Sequence, residues 1–152
     1  MTLLGIISDT HGLLRPEALD ALRGSELIIH AGDVGNSEIL ERLREIAPVV
    51  AVRGNVDTAP WAEALPETMV VRVAGRSIYA LHDRSQLVAD PVTAGYAAVV
   101  FGHSHTALVE TRGGVLYLNP GSAGPRRFRL PITVARLRVS TEYLEPEIVQ
   151  LA

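Results

Sequence analysis

No cysteine occurs among the 152 residues, which excludes disulfides, thiolate nucleophiles and any zinc site built on sulfur. Lysine is also missing: all 14 basic residues are arginine, so Schiff-base chemistry is excluded as well. No apolar run comes near the ~20 residues needed to span a bilayer. The longest, such as Ala97–Phe101, have the length of a buried strand. Met1–Ser8 has neither a basic leading region nor a cleavage pattern, so the expected location is the cytoplasm, without a membrane. There is no excess of positive charge either. The net charge is -3 and the one basic stripe is Arg126, Arg127 and Arg129, which disfavours nucleic acid as a partner. Repeats, low-complexity tracts and linkers are lacking, and the length suits one domain over residues 1–152.

What is present alternates. Leu3–Ser8, Leu27–Ala31 and Val49–Arg53 are short runs rich in branched residues and read as buried strands. Between them lie helical patterns. One follows Pro16 and closes at Gly24; the other is capped by Asn36 or Ser37, carries Ile39, Leu40, Leu43 and Ile46 on one stripe, and stops at Pro48. The second half reads differently. Met69–Val73 with Ser77–Leu81, and Ala107–Thr111 with Val115–Leu118, flank Gly-containing turns and predict hairpins. Ala97–Phe101 is a further buried strand, and Ile132–Val139 and Tyr143–Gln150 close the chain as strands. Thr58–Pro66 and Arg84–Gly95 read as irregular. The alternation predicts an α/β fold.

Polar residues fall at the strand ends. Asp9 and His11, Asp33, Asn55 and Asp57, His82 and Asp83, and His103 and His105 each follow a predicted strand. In open α/β sheets ligands bind outside the carboxyl ends of strands, so these loops are expected to converge. Imidazole, carboxylate and amide oxygen suit hard or borderline divalent ions. Asp9-x-His11 and His103-x-His105 are expected to be extended, where i and i+2 point the same way. His30 lies inside a strand and reads as a structural histidine beside the site.

Asp9-Thr10-His11, Gly32-Asp33, Gly54-Asn55-x-Asp57, His82 and Gly102-His103-Ser104-His105, in this order, resemble the calcineurin-like metallophosphoesterases. With Asn119-Pro120-Gly121-Ser122 and the chain length, they resemble its small bacterial and archaeal phosphodiesterase branch. The resemblance implies a metallophosphoesterase-type α/β sandwich of two mixed sheets flanked by helices. It implies two divalent metal ions, manganese foremost, with iron, nickel, cobalt or zinc also suited. One would be held by Asp9, His11, His105 and a bridging Asp33; the other by Asp33, Asn55, His82 and His103. Such ions sit roughly 3.5–4 Å apart, and a bridging hydroxide is the implied nucleophile on a small phosphate ester, most readily a phosphodiester. Asp33, Asn55, Asp57 and His103 are then the expected catalytic set, with Asp57 orienting its neighbours. Asn55, Arg126 and Arg127, with the Gly-Ser turn before the arginines, are the expected phosphate contacts.

The sequence departs from the family where a histidine often follows the asparagine. Here that residue is Val56, so the acid that protonates the leaving group is not identified. A second reading is a non-catalytic metal-binding or protein-interaction scaffold of the same fold, resembling the retromer-type subunit of this superfamily. Small relatives are often dimers or larger, so a homo-oligomer is compatible with the chain, although no interface is legible in it. Single features have plainer readings: Trp61 as packing, Glu38, Glu41 and Glu45 as a solvated face, Asp83 and Arg84 as a local surface pair.

Overall fold

A computed structural model describes residues 1–152. The first strand β1 (Thr2–Ile7) leads through a loop to α1 (Pro16–Leu22), then β2 (Leu27–His30), α2 (Ser37–Arg44) and β3 (Val49–Ala51). β1 pairs in parallel with β2, and β2 with β3. The last strands, β9 (Thr133–Val139) and β10 (Leu144–Gln150), return antiparallel beside β1, giving the sheet order β10-β9-β1-β2-β3. A second sheet has the order β4-β5-β6-β8-β7, from β4 (Thr68–Val73), β5 (Arg76–Leu81), β6 (Tyr96–Val100), β7 (Leu108–Arg112) and β8 (Val115–Asn119). In it β5, β6 and β8 run parallel, while β4 and β7 form the two expected hairpins.

The period-2 rule places the core. Leu4, Ile6 and Ile29 face inward against Ile78, Ala98, Val100 and Leu118 of the other sheet. Ile7 and Ile28, on the opposite face, pack under the helices with Leu22, Leu40 and Leu43. The helices thus cover one sheet, and a smaller cluster of Tyr79, Leu81, Val99 and Phe101 lies outside the other. The fold is an α/β sandwich of two mixed sheets flanked by helices.

Asn36 is the cap of α2, its side-chain oxygen accepting from Ile39 N–H at 3.3 Å. Ile46 lies beyond that helix, on its packed edge. The two stretches read as irregular contain 3₁₀ turns at Pro60–Ala64 and Arg84–Gln86 and a single turn α3 (Pro91–Ala94). A segment of about one turn is too short to show periodicity. No helix is long and apolar enough to cross a membrane.

Candidate metal centre and its cleft

The loops after β1, β2, β5 and β6 meet at the carboxyl ends of the parallel strands, and those after β1, β2 and β6 are not extended at their donors. Asp9 (φ 56), His11 (φ 46), Asp33 (φ 56), His103 (φ 72) and His105 (φ 64) are all left-handed. This corrects the expectation that i and i+2 converge through strand geometry. At these five donors, His82 apart, the chain turns left-handed to bring the side chains together, a conformation that costs non-glycine residues about 1–2 kcal/mol. Glycine is needed beneath them for room. A Cβ on Gly102 would fall 2.6 Å from Asp9 Oδ2 and against Ser8 Oγ, and one on Gly54 would strike the Asp33 backbone and carboxylate.

Each central carboxylate has one oxygen tied and one free. Asp9 is fully buried; its Oδ2 accepts from Ser8 Oγ–H at 2.6 Å and from His103 N–H at 3.2 Å. Its Oδ1 has no hydrogen-bond partner and lies 3.3 Å from His105 Nε2, 3.7 Å from His11 Nε2 and 3.9 Å from His82 Nε2. Asp33 Oδ1 accepts from Val56 N–H at 3.0 Å, leaving Oδ2 at 3.1 Å from His82 Nε2 and 3.5 Å from His11 Nε2. His82 Nδ1 donates to the Ala31 carbonyl at 2.7 Å, so its Nε2 carries the lone pair toward the carboxylates. His11 Nε2 and His82 Nε2 are buried without a hydrogen-bond partner, as is His105 Nδ1.

These atoms form two overlapping donor groups, Asp9–His11–His105 and Asp9–Asp33–His82, each tight enough to hold an ion. Asp9 is common to both groups, while Asp33 Oδ2, the expected bridge, lies between His11 and His82. His103 lies outside the two groups. Asn55 is exposed on the loop after β3. His103 stands edge-on to the His82 ring, 5.3 Å between centroids, with Nε2 3.8 Å from Asp83 Oδ2. The field suits a cation. Burial works against charge on His82, but the Asp33 and Asp9 carboxylates, with the Ala31 carbonyl, outweigh it and raise its pKa. Burial likewise works against the Asp33 carboxylate, yet the His82 ring, the Val56 N–H and His11 hold its pKa down at about 2.

A second layer fixes these loops. Asp57 is buried and accepts from Gly54 N–H (2.9 Å), Gly35 N–H (3.1 Å) and Val34 N–H (3.2 Å). Both its oxygens are occupied by backbone, so it is a positioning residue, the orienting role expected of it. His30 is fully buried; its Nδ1 accepts from Gly32 N–H at 3.1 Å and its Nε2 lies 3.0 Å from Thr10 Oγ1, whose hydroxyl donates to the Val34 carbonyl. With both nitrogens engaged, it is a structural histidine.

The expected phosphate contacts fare differently. The amides of Gly121, Ala123 and Gly124 bond to Asn119 Oδ1, the Ser8 carbonyl and Ser122 Oγ, and Ser122 Oγ–H donates to the Asp9 carbonyl at 3.1 Å. The turn is a buttress under Asp9, with those N–H groups spent. Arg126 is exposed and donates to the Leu130 carbonyl at 3.3 Å, while Arg127 is exposed but near enough for its charge to help lower the His105 pKa, after burial and against Asp9. Asp83 bonds Ser85 and faces His103, while Arg84 stacks over Phe101 at 5.0 Å; they do not pair with each other. Trp61 packs against the helix-side core. One feature sequence reading missed is a cleft of about 690 Å³ beside Asn55 and His82, lined also by Arg53, Thr58, Glu63 and Glu67. Its walls come from the loop after β3 and from β4 and β5, and no single residue type announces it.

A two-sheet α/β sandwich with a buried Asp/His cluster at its parallel strand ends defines a metallohydrolase. The profile of the calcineurin-like phosphoesterase superfamily domain matches residues 2–142. The chain belongs to that superfamily and is a metal-dependent phosphoester hydrolase. It is 35% identical to a probable metallophosphoesterase of Methanocaldococcus jannaschii, over 98% of this chain and 81% of that one. It is 30% identical to phosphodiesterase YfcE of Escherichia coli K12, over 80% and 79%. Among solved structures, Chaetomium thermophilum Vps29 superposes with a TM-score of 0.83 at 20% identity, covering 100% of this chain and 87% of that one, a likeness of fold.

Proposed function

We propose that the chain is a phosphodiesterase built on a dinuclear centre, with manganese as its working metal and the cytoplasm as its location. The observation that carries this is the set of buried donors without partners: Asp9 Oδ1, His11 Nε2 and His82 Nε2. An unpaired buried polar atom costs about 1–3 kcal/mol, and these three, spread over two overlapping donor groups that share Asp9, are what bound cations would satisfy. Asp9, His11, Asp33 and His105 would hold one ion; Asp33, His82 and the shared Asp9 the other, with Asn55 and His103 flanking it. When bound, such a pair activates a water as nucleophile and neutralises charge on the phosphoryl oxygens.

The chain's own residues do the rest. Ser8 and the His103 amide orient Asp9; the Val56 amide orients Asp33; Asp57 ties the loop of Asn55 to the loop of Asp33. Asn55, exposed and lining the cleft, would contact a phosphoryl oxygen. With Val56 after Asn55, esters of acidic alcohols such as nitrophenol should react much faster than alkyl esters. The substrate is a small phosphate ester, and the whole of residues 1–152 acts as one domain.

The test is hydrolysis of bis-p-nitrophenyl phosphate by metal-stripped protein with Mn²⁺ added back, beside Asp33→Asn. Turnover that needs metal and is lost in a folded Asp33→Asn supports the reading. A folded protein that binds no divalent ion and turns nothing over would replace it with the non-catalytic scaffold.

A further inference from the structure

Arg53 is the cation the site does not account for. It lines the 690 Å³ cleft with Asn55 and His82. Its Nε is buried without a hydrogen-bond partner. The arginines that form ion pairs are Arg23, Arg84, Arg112 and Arg136, not Arg53, although Glu63 and Glu67 line the same cleft. Arg15 Nε and Arg76 Nη1 are also buried without partners. Arg15, however, donates through Nη2 to the Gly124 carbonyl, and Arg76 begins β5, at the far end from His82. Of these three arginines Arg53 alone lines the cavity that opens beside the metal centre, and it has no ion pair there.

A guanidinium without a carboxylate partner pairs with a planar or tetrahedral anion, in the two-pronged geometry that carboxylate and phosphate offer. Resting on the phosphodiesterase reading above, we propose that Arg53 anchors an anionic group on the organic part of the substrate. The cleft thereby selects phosphoesters that carry one further carboxylate or phosphate close to the scissile phosphate. Glu63 and Glu67, both exposed, set the other limit. They repel an extended polyanion while leaving a compact dianion within reach of Arg53. Arg126 and Arg127 lie outside this cleft, so the selecting arginine is one the phosphate-binding expectation passed over.

The experiment uses three p-nitrophenyl phosphodiesters with the same leaving group, whose second alcohol is glycolate, ethylene glycol or choline. The Mn²⁺-loaded protein should prefer the glycolate ester through KM. Arg53→Gln should remove that preference by about tenfold, as loss of one charge-assisted hydrogen bond predicts, with kcat and the ethylene glycol ester little changed. Arg53→Lys should restore part of it. Equal losses on all three esters, or a wild type with no glycolate preference, would overturn the proposal. Calorimetry with phosphoglycolate and ethyl phosphate gives a readout that does not need turnover. Weaker phosphoglycolate binding by Arg53→Gln, with ethyl phosphate unaffected, supports the anchor even if no ester is hydrolysed; in that outcome the hydrolase reading alone falls.

Discussion

Acid should unfold this protein through His30. Its ring is fully buried; Gly32 N–H donates to Nδ1, so the single ring proton sits on Nε2 and points at Thr10 Oγ1. Burial, with the His82 and His11 rings nearby and against Asp33, lowers its pKa from 6.5 to about 3. Above pH 6.5 the ring is neutral in both states and adds no slope. Below it the unfolded chain binds a proton that the folded chain refuses, so stability falls as pH falls, by about 1.4 kcal/mol per unit. Carried down to pH 3 this amounts to about 5 kcal/mol, comparable with the whole stability of a small domain. Urea unfolding of metal-stripped protein from pH 7.5 to 4, beside His30→Gln, isolates the effect. The glutamine keeps a donor for Thr10 but cannot titrate. It should be less stable at pH 7 by about 1–3 kcal/mol, because Gly32 N–H loses its acceptor. The gap should then close by about 1.4 kcal/mol per unit below pH 6.5. Parallel profiles, or a His30 ring signal that titrates above pH 5, would refute the reasoning.

Other perturbations follow from the same geometry. Gly102→Ala places a methyl against Ser8 Oγ and 2.6 Å from Asp9 Oδ2; overpacking of this kind costs about 1–3 kcal/mol, read as a lower urea midpoint, and metal affinity should fall with it. Asp57→Asn turns an amide N–H toward backbone N–H groups, so metal affinity by calorimetry should drop about 10–100-fold while the fold survives. Ser8→Ala removes the 2.6 Å bond that orients Asp9 and should weaken the metal by about tenfold. Arg126→Ala should leave turnover of bis-p-nitrophenyl phosphate unchanged, since that side chain is exposed and bonds its own loop.

The strands and their loops were legible because each is an apolar run ended by glycine or a polar donor, and the two periods, 2 and 3.6, separate cleanly here. The donor types were legible for a chemical reason: no other role calls for Asp, His and Asn at so many strand ends. The backbone shape that unites them was not. Residue type says what Asp9 or His105 can bind but not that its φ is positive, since a left-handed aspartate or histidine is imposed by the surrounding loops. The orienting role expected of Asp57 fits its three amide bonds, although a carboxylate in a site loop looks the same in sequence whether it faces a ligand or backbone. The Gly-Ser turn failed as a phosphate cradle because hydrogen bonds to Asn119, Ser8 and Ser122 had already taken its N–H groups. The bonds to Asn119 and Ser122 are made within the turn, while that from Ala123 to Ser8 joins distant parts of the chain and leaves no local mark.

The left-handed donors also make a claim about energy. Backbone strain persists where the rest of the structure over-determines it, and it gathers at functional sites. His103 is the clearest case, with φ 72, a side chain 47% exposed, and no hydrogen bond from its ring. Its conformation therefore gains little from the metal-free fold. Glycine adopts this region without the Cβ clash, so His103→Gly should stabilise the metal-stripped protein by about 1 kcal/mol. The same change removes an imidazole from the flank of the second donor group, so it should lower turnover with Mn²⁺ and the stability gained on adding metal. Urea midpoints with and without Mn²⁺ measure both halves. A glycine variant less stable than wild type without metal would mean that His103 is held by packing, and that its strain is not kept for function.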